Sequence, residues 1–310
     1  MCVERAKGQR ESRRVEPEES GQRVDRWLVS RLEGTSRGRV VRLLATGVVE
    51  VNGKSTRKGS LLRAGDLVSW PVGGAEIRAQ PDPDFQLCVV YEDDCLVVVD
   101  KPAGVPTHPL RPRETGTLAS GLVARYPEMA SVGHGPREPG LVHRLDNDTS
   151  GLLLAARDRE TFDALRAALL RGEIDKRYRT IVGGREVPTG SHVAFLEGEG
   201  RRVRVHSALR SCGARIVTEV LECTPLTDYC LLEVRAKCAK RHQLRAHLAA
   251  IGHPMYGDQL YGGTPADDQG GHALHAAAIS FRHPMTGCLV ALSAPLPKTF
   301  QERLSLLGWR

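Results

Sequence analysis

A stretch rich in turn-forming residues divides the sequence into a short amino-terminal part and a long remainder. Glycine and proline interrupt helices and strands, and this stretch contains Pro71, Gly73, Gly74, Pro81 and Pro83. The length of 310 residues fits two domains at about 150 residues each. We therefore predict a disordered charged tail over residues 1–20, a small module over 21–72, a linker over 73–86 and a large domain over 87–310.

The small module has the pattern of two short helices followed by a small sheet. Trp27 and Leu28 fall on the apolar face of a first helix, and Ser36 is placed to cap a second. Residues 48–51 have the composition of a strand. They end at Asn52-Gly53, a pair typical of tight hairpin turns. The pattern predicts a compact, basic α/β module.

The large domain alternates apolar runs of strand length with amphipathic helical segments. Strand-like runs occupy residues 96–99, 151–155, 178–182 and 229–234, and helical periodicity marks residues 162–170 and 244–251. Such irregular alternation predicts an α+β domain built on a mixed, largely antiparallel sheet. The sequence has neither a GxGxxG nor a GxxxxGK[ST] turn after a strand, which argues against a nucleotide-cofactor fold.

The overall charge favours a polyanionic partner. The formal net charge is +7 and the pI about 9.1, and a cation that neutralises a phosphate releases a counterion. The eight cysteines form no CxxC pair, so we predict neither a zinc site nor a redox motif. The charged amino terminus lacks a secretory apolar core, and no apolar run approaches the roughly 20 residues of a membrane span. We expect a reduced, cytoplasmic protein.

One segment concentrates polar groups between two apolar stretches: His143, Arg144, Asp146, Asp148 and Thr149. Loops held between buried elements often present catalytic groups. A structural turn is the alternative, in which an aspartate accepts backbone N–H bonds and Arg144 pairs with a carboxylate. On local composition alone, the structural turn is favoured.

Residues 241–248 combine basic side chains with helical periodicity. In a helix, the leucines would face the core while Arg241 and Arg245 share a neighbouring stripe, from which an arginine could hold a carboxylate ionised. A solvated basic face is equally consistent. His242 and His247 are five positions apart and lack an HExxH glutamate, so we predict no metal site.

Lys176-Arg177-Tyr178 precedes another strand-like run. A tyrosine at this point commonly packs with its hydroxyl in water, and it could also stack on an exposed nucleobase. Taken by itself, the segment favours packing.

In order along the chain, these segments resemble the motifs of RluA-type pseudouridine synthases. Residues 96–109 look like the opening motif of that family, and residues 143–154 are similar to its signature. Residues 176–178 fall where the family carries its active-site tyrosine, residues 242–262 resemble its third motif, and residues 274–297 contain its closing segments. Five matches in the family order outweigh the separate structural explanations. The resemblance predicts an isomerase that converts specific uridines of RNA to pseudouridine.

The resemblance also implies roles for individual residues. Asp146 matches the essential carboxylate, Tyr178 the residue that stacks on the target base, and Arg245 the basic residue paired with the carboxylate. Arg144 matches the position that helps to hold a flipped nucleotide open. Further candidate substrate-binding residues are their neighbours in the same motifs: His143, Thr149, His242 and Gln243.

Chemistry agrees with these roles. Uridine and pseudouridine have the same atoms, so the reaction requires no cofactor, metal or energy donor, and we predict none. Extruding the target base costs a few kcal/mol, and stacking on an aromatic ring returns about 1–3 kcal/mol per base. Asp146 could attack ribose or base, or stabilise a cationic sugar-like intermediate, and both routes remain open.

The sequence departs from the family pattern at Ala239-Lys240-Arg241, where Gly-Arg-Thr is usual, and over residues 190–215. We expect altered substrate contacts with activity retained. Two other functions are weighed against this one. A glycoside hydrolase would use Asp146 and Asp148 as paired carboxylates, although aromatic residues make up only 5% of the chain. A catalytically silent RNA-binding protein would rely on the small module.

The small module resembles the alpha-L RNA-binding motif, which is often fused in front of such synthases. Its basic residues are predicted to contact phosphates, against the alternative of a merely solvated surface: Arg37, Arg39, Arg42, Lys54, Arg57 and Lys58. The predicted partner is RNA, with ribosomal RNA placed before transfer RNA. We predict no membrane association and no obligate protein partner.

Overall fold

The chain forms two compact units, Met1–Glu76 and Ile77–Arg310. The computed structural model describes residues 10–32, 37–71, 77–200, 202–207, 213–266 and 270–309, and excludes the side chains of Arg39, Arg42 and Glu199. Gly73 and Gly74 of the predicted linker lie outside these residues. Residues 77–86 were expected in the linker, but Ala79 and Phe85 pack against the core of the second unit. The linker prediction was wrong for these residues, because apolar side chains close to Pro81 and Pro83 can be buried.

The first unit contains two helices and a four-stranded sheet. Its helices are α1 (Val24–Arg31) and α2 (Arg37–Ala45), and its strands are β1 (Arg10–Arg14), β2 (Glu50–Val51), β3 (Lys54–Ser55) and β4 (Leu67–Pro71), in the sheet order β1-β4-β2-β3. Strand β1 corrects the predicted disordered tail, because residues 10–14 pair with β4. Backbone pairing needs no apolar side chains, so the fully exposed sequence of β1 gave no strand signal. Residues 1–9 lie outside the described part of the chain.

The core of the first unit joins α1 to the sheet. Trp27 and Trp70 are buried and meet edge to face, with ring centroids 6.1 Å apart. The predicted hairpin turn is confirmed, since Asn52 and Gly53 have φ values of 51° and 75° between the paired strands β2 and β3. Positive φ at both positions matches the tight turns that suit twisted hairpins. Ser36, the predicted helix cap, lies outside the described residues.

The second unit is built on a ten-stranded sheet. Its strands are β5 (Cys88–Glu92), β6 (Leu96–Lys101), β7 (Ser150–Ala156), β8 (Asp175–Gly183), β9 (Gly190–Glu199), β10 (Arg202–His206), β11 (Ala214–Pro225), β12 (Tyr229–Arg235), β13 (Leu274–Arg282) and β14 (Leu289–Ser293). The strand order is β10-β9-β11-β12-β8-β13-β7-β6-β5, with β14 paired to β13. Among the described pairs only β13 and β7 run parallel, so the predicted largely antiparallel α+β sheet is confirmed.

Helices and loops cover both faces of this sheet. The helices are α3 (Leu118–Arg125), α4 (Arg159–Arg171), α5 (Gln243–Ala250) and α6 (Lys298–Leu306). Alternate residues of a strand point to opposite faces, and in β6 they enter two different cores: Val97 and Val99 join one, Leu96 and Val98 the other. Burial on both faces makes the central strands continuous apolar runs. In the described part of the chain, no helix is both long and apolar enough to cross a bilayer.

Candidate active site

Asp146 lies on a loop that leads into β7, and buried polar groups fix the backbone of this loop. The Lys101 ammonium donates to the carbonyl of Asn147 at 2.9 Å and to those of Pro102 and Val105. The Thr107 hydroxyl donates to the carbonyl of Leu145 at 2.7 Å. These bonds hold the residues on both sides of Asp146. The aspartate therefore has a fixed position just before the start of the central strand β7.

A close approach between strands β7 and β13 brings the segment before β13 to the same loop. Ser150 and Gly151 of β7 pair in parallel with His275 and Ala276 of β13. Gly151 has a φ of 107°, and a Cβ there would lie 2.3 Å from the carbonyl oxygen of Ala276. Glycine is thus required at this position. The contact sets His272, just before β13, beside the Asp146 loop.

Arg245 joins the loop to helix α5. Its Nη1 donates to Oδ2 of Asp146 at 2.9 Å. Its Nε and Nη2 donate to the two carboxylate oxygens of Asp258 at 2.7 and 2.9 Å. The helix places Arg245 by beginning at Gln243, after His242 with a left-handed φ of 54°. The guanidinium is therefore shared between a partly exposed and a fully buried carboxylate, with side chains 21% and 1% exposed.

The surroundings of Asp146 keep its carboxyl ionised. Burial raises the pKa of Asp146, but the charges of His242 and Arg245 and the hydrogen bond from Arg245 outweigh burial and hold the pKa below its usual value. Nε2 of His242 lies 3.9 Å from Oδ2 of Asp146. The carboxylate is consequently available as a nucleophile or as a stabiliser of positive charge at neutral pH.

Tyr178 lines the same narrow cavity as Asp146. It lies on β8, is 4% exposed, and shares with Asp146 and Arg245 a cavity of about 50 Å³. Burial, reinforced by the negative charge of Asp146, raises the pKa of the phenol above its usual value. Tyr178 therefore stays protonated and offers a neutral ring. The three residues to which the family resemblance assigns the chemistry are brought together.

Asp146 also borders two larger cavities, of about 260 and 270 Å³. Arg144 lines all three, and its exposed side chain makes no hydrogen bond or ion pair with a described residue. The carboxylate pair expected for a structural turn is therefore not found within the described chain. Arg144 is thus a cation beside the site that has no partner among the described residues.

The other predicted substrate-binding residues are mostly engaged with the protein itself. The Gln243 amide accepts from the backbone N–H of Lys240 and donates to the carbonyl of Val217. Nε2 of His143 accepts the backbone N–H of Leu154, and burial lowers the pKa of His143 well below its usual value. The amide of Gln243 is thus engaged with the backbone, whereas Nδ1 of His143 is buried without a partner among the described residues. Thr149 and His242 line the narrow cavity, where the Thr149 hydroxyl bonds with His272 and the His242 ring with Tyr261.

Sequence analysis gave no role to three residues of this site. Asp258 fixes Arg245, Lys101 fixes the Asp146 loop, and His272 lies between Thr149 and Asp148. Burial and other charges lower the pKa of His272 to about 4, so it is neutral at pH 7. Asp258 and Lys101 lie inside motifs recognised in the sequence. A charged residue within a buried stretch is the signal that could have identified them.

Three side chains of the types that can bind a metal lie together elsewhere in the described chain. Asp93, Cys95 and His283 place one ligand atom each within 4.8 Å of the others. Nδ1 of His283 accepts two backbone N–H groups, which leaves the proton on Nε2 facing Asp93 at 2.9 Å. The cluster is thus internally hydrogen-bonded. Its three residues are absent from the walls of the cavities that Asp146 borders.

Comparison with known proteins links this geometry to one chemistry. The family model described as RNA pseudouridylate synthase matches residues 95–250. The chain is 33% identical over 302 residues to the ribosomal large subunit pseudouridine synthase D of Xanthomonas campestris, covering 93% of this chain and 89% of that protein. It is 32% identical over 293 residues to an uncharacterized RNA pseudouridine synthase of Bacillus subtilis, with 94% and 95% covered.

Solved structures agree at the level of the fold. The human RNA pseudouridylate synthase domain containing 4 superposes with a TM-score of 0.56 at 22% identity, over 71% of this chain and 92% of that one. The human RNA pseudouridylate synthase domain containing 1 gives a TM-score of 0.54 at 21% identity, over 70% and 86%. The large sheet and its covering helices are those of that fold.

Proposed function

This chain belongs to the RNA pseudouridine synthase family, and from that premise we propose that it modifies uridines of large-subunit ribosomal RNA with Asp146 as the catalytic carboxylate. The observation that carries the proposal is the 2.9 Å hydrogen bond from Arg245 to Asp146. Both residues line the narrow cavity together with Tyr178. The membership makes the chain an isomerase acting on RNA. The residues and the RNA are the parts that we propose.

The reaction rearranges one nucleotide without adding atoms. The bond between C1′ of ribose and N1 of uracil breaks, the base turns, and C1′ bonds to C5. The proton lost from C5 is matched by one gained at N1. An ionised Asp146 can add to the nucleotide and leave again, or it can stabilise a cationic sugar and then take the proton from C5. Both routes begin from the carboxylate that Arg245 favours.

Tyr178 and Arg144 receive the flipped nucleotide in this proposal. A base inside a helix is out of reach of Asp146, so it must leave the stack. Tyr178 presents a neutral ring in the narrow cavity, on which the uracil can stack. Arg144 stands at the entrance with its guanidinium free of described partners, where it can contact the opened strand. His242 and Thr149 complete the wall.

Gln243 takes a positioning role, because its amide already bonds with the backbone, and His143 takes one through the backbone bond of its Nε2. Asp258 joins them as the residue that orients Arg245. A side chain held by such bonds presents its neighbours in a fixed geometry, which is what catalytic groups require. None of the three needs to touch the substrate.

The first unit serves as an RNA-binding module of the alpha-L type in our proposal. Arg37, Lys54, Arg57 and Lys58 are exposed there, while the side chains of Arg39 and Arg42 lie outside the described part of the chain. Exposed cations on a small rigid unit suit contacts to phosphates, which position a protein on RNA without reading its sequence.

Ribosomal RNA is the proposed partner because several relatives are named for it. The proteins of Xanthomonas campestris and Xylella fastidiosa, 33% and 32% identical, are ribosomal large subunit pseudouridine synthases. A bacterial-type ribosomal substrate would also place the protein in the cytoplasm. Transfer RNA is the second candidate.

Mapping of pseudouridines with and without the gene tests the proposal. Ribosomal and transfer RNA from a deletion strain should lack one or a few pseudouridines of the large-subunit RNA. Wild-type protein should restore them, and Asp146→Asn protein, made in equal amount, should not. Loss confined to transfer RNA would overturn the ribosomal assignment. Restoration by Asp146→Asn would overturn the role of the aspartate.

A further inference from the structure

One of the two larger cavities that Asp146 borders carries an excess of positive charge. It has a volume of about 270 Å³, and we call it the basic cavity; five cations line it: Arg144, Arg166, Lys176, Lys240 and Arg241. Two acids, Glu138 and Asp146, line it as well. This volume is several times the roughly 30 Å³ that one water molecule occupies in the liquid. The cavity therefore has room for a hydrated ion or a phosphate group.

Both acids of the basic cavity already have cationic partners. Glu138 pairs with Arg137 at 2.8 Å, and the ring of His108, whose pKa burial lowers to about 4, lies 2.7 Å from it. Asp146 pairs with Arg245 at 2.9 Å. Neither carboxylate lies within ion-pair distance of Lys176 or Arg166 among the described contacts. The positive charge of the cavity is therefore not balanced by its own walls.

Lys176 is the most unusual of these cations. It is 4% exposed, and its ammonium makes no hydrogen bond or ion pair with a described residue. Burial lowers its pKa to about 8, with the Cys238 thiol opposing and Arg166 reinforcing this shift. The ammonium is still largely charged at pH 7. An unpaired buried charge destabilises a protein, so its presence calls for an explanation.

Lys101 provides the comparison within the same chain. It is also fully buried, but its ammonium donates to three carbonyls at 2.7 to 2.9 Å. Lys101 is a structural lysine with its hydrogen bonds complete. Lys176 is nearly as buried but lacks such acceptors among the described residues, and it faces a cavity instead of a loop.

Arg166 adds a second incompletely bonded cation. Its Nη1 donates to the carbonyl of Val142 at 2.8 Å, while its Nε is buried without a partner in the described chain. Lys176 lies two residues before Tyr178 on β8, and alternate residues of a strand share a face. Arg166 approaches from α4. Two elements thus direct donors into one cavity that Asp146 borders.

We propose that the basic cavity binds a phosphodiester of the substrate RNA next to the target uridine, with Lys176 as its buried anchor and Arg166 as a second donor. This inference rests on the proposed function, since RNA supplies the anion. Phosphate oxygens offer the acceptors that both cations lack. The departure from the family pattern lines the same cavity, at Ala239, Lys240 and Arg241. Its two cations extend the positive surface towards the RNA strand.

Binding of inorganic phosphate provides a test that needs no turnover. Thermal unfolding is followed with phosphate replacing chloride at constant ionic strength, for the wild type, Lys176→Met and Lys298→Met. Lys298 is a control because its side chain is 90% exposed on α6. Phosphate should raise the midpoint of the wild type and of Lys298→Met by a few degrees, but not that of Lys176→Met. Equal shifts in all three proteins, or no shift in any, overturn the anion site.

The RNA arm distinguishes a phosphodiester from a free anion. With the RNA identified by mapping, Lys176→Met should raise KM about tenfold and leave kcat within about threefold. It should also reduce the slope of log affinity against log salt by about 0.7, the value for one phosphate contact with a single strand. An unchanged KM and slope beside lost phosphate binding would mean an adventitious ion only, and would overturn the assignment to RNA.

Folding and the proposed function are controlled separately. Lys176→Met should unfold at the wild-type temperature or above without phosphate, because it removes an unpaired buried charge. If circular dichroism shows that Lys176→Met does not fold, Lys176→Gln takes its place in both arms. A wild-type protein that binds phosphate but modifies no ribosomal RNA would contradict the proposed substrate while leaving the anion site intact.

Discussion

Arg245 and Asp258 form a two-pronged ion pair, with Nε to Oδ2 at 2.7 Å and Nη2 to Oδ1 at 2.9 Å. The Asp258 side chain is 1% exposed. Because a guanidinium is planar and its donors form a rigid fork, this pair fixes the direction of the remaining Nη1. That nitrogen points at Asp146. Asp258 therefore determines the geometry of a site that it does not line.

Replacing Asp258 should reduce both stability and turnover. Breaking a buried ion pair by removing one partner costs about 3–5 kcal/mol, and we expect Asp258→Asn to lower the free energy of unfolding by about 3 kcal/mol in urea titrations. A loosened Arg245 should lower kcat by about tenfold to a hundredfold. Glu302→Gln is the matched control, since Glu302 pairs with Lys298 at the surface, and it should change stability by less than about 0.5 kcal/mol. Wild-type kcat in Asp258→Asn would show that Arg245 needs no support.

Asp146→Asn should abolish turnover without disturbing the fold. The substitution keeps the shape but removes the charge, and a group that acts in acid–base or nucleophilic chemistry is worth at least about a hundredfold in rate. Release of tritium from C5-labelled uridine in RNA measures the reaction. Asp148→Asn is the control, because Asp148 lies 3.9 Å from His272 and pairs with no arginine that the structure describes. We expect it to retain most activity, whereas a paired-carboxylate hydrolase would lose activity with either change.

The large sheet and the grouping of Asp146, Tyr178 and Arg245 could be predicted because their signals are local. A buried strand such as residues 96–99 is an uninterrupted apolar run, and the motif around Asp146 is specific over a few residues. The family match over residues 95–250 confirms the family resemblance. Strand β1 could not be predicted, since its five exposed polar residues gain order only by pairing with β4.

The residues that support the proposed catalytic groups could not be predicted from the sequence, for a similar reason. Asp258 is separated from Arg245 by 13 positions, and only the fold brings their side chains together. Gln243 and His143 have the residue types of ligand-binding groups, but the backbone of distant segments bonds with the amide of Gln243 and with Nε2 of His143. Which polar side chains remain free for a substrate is a property of tertiary packing, and the sequence does not carry it.

Lys101→Met should weaken the loop that carries Asp146. The change leaves the carbonyls of Pro102, Val105 and Asn147 without their donor, and hydrogen bonds to charged groups contribute about 1.5–3 kcal/mol each. We expect a loss of about 3 kcal/mol in unfolding free energy, together with faster amide exchange over residues 145–149. Unchanged exchange there would mean that Thr107 alone holds the loop.

Neutralising the exposed cations of the first unit should weaken RNA binding while leaving the chemistry intact. In the triple variant Lys54→Gln, Arg57→Gln, Lys58→Gln, each lost phosphate contact reduces the slope of log affinity against log salt by about 0.7–0.9. KM should rise while kcat stays within about twofold. The control neutralises three exposed basic residues of the second unit, Arg159, Arg171 and Lys298, each already paired with an acid. Equal effects of both triples would indicate a general effect of net charge.

The pH profile of Arg245→Lys should separate ionisation of Asp146 from its positioning. The pKa of Asp146 lies below its usual 3.8 in the wild type, so the carboxyl stays ionised from neutral pH down to about pH 5, and kcat/KM should show no acid limb from Asp146 above about pH 5. A lysine has one nitrogen in place of the three with which Arg245 reaches Asp146 and Asp258, so it should not reproduce the hydrogen bond to Asp146. Deprived of the Arg245 hydrogen bond, the buried Asp146 should have a higher pKa, because burial is the largest single influence on it and favours the neutral acid.

The acid limb of Arg245→Lys should therefore move to higher pH, and activity should recover as the pH rises from 5 to 8. Arg144→Lys is the control, because Arg144 has no described ion pair, and its profile should keep the wild-type shape. Activity that stays low at every pH in Arg245→Lys would show that the guanidinium positions Asp146 or contacts the nucleotide, and that ionisation alone is insufficient. Full activity at every pH would contradict a role for Arg245 in the reaction.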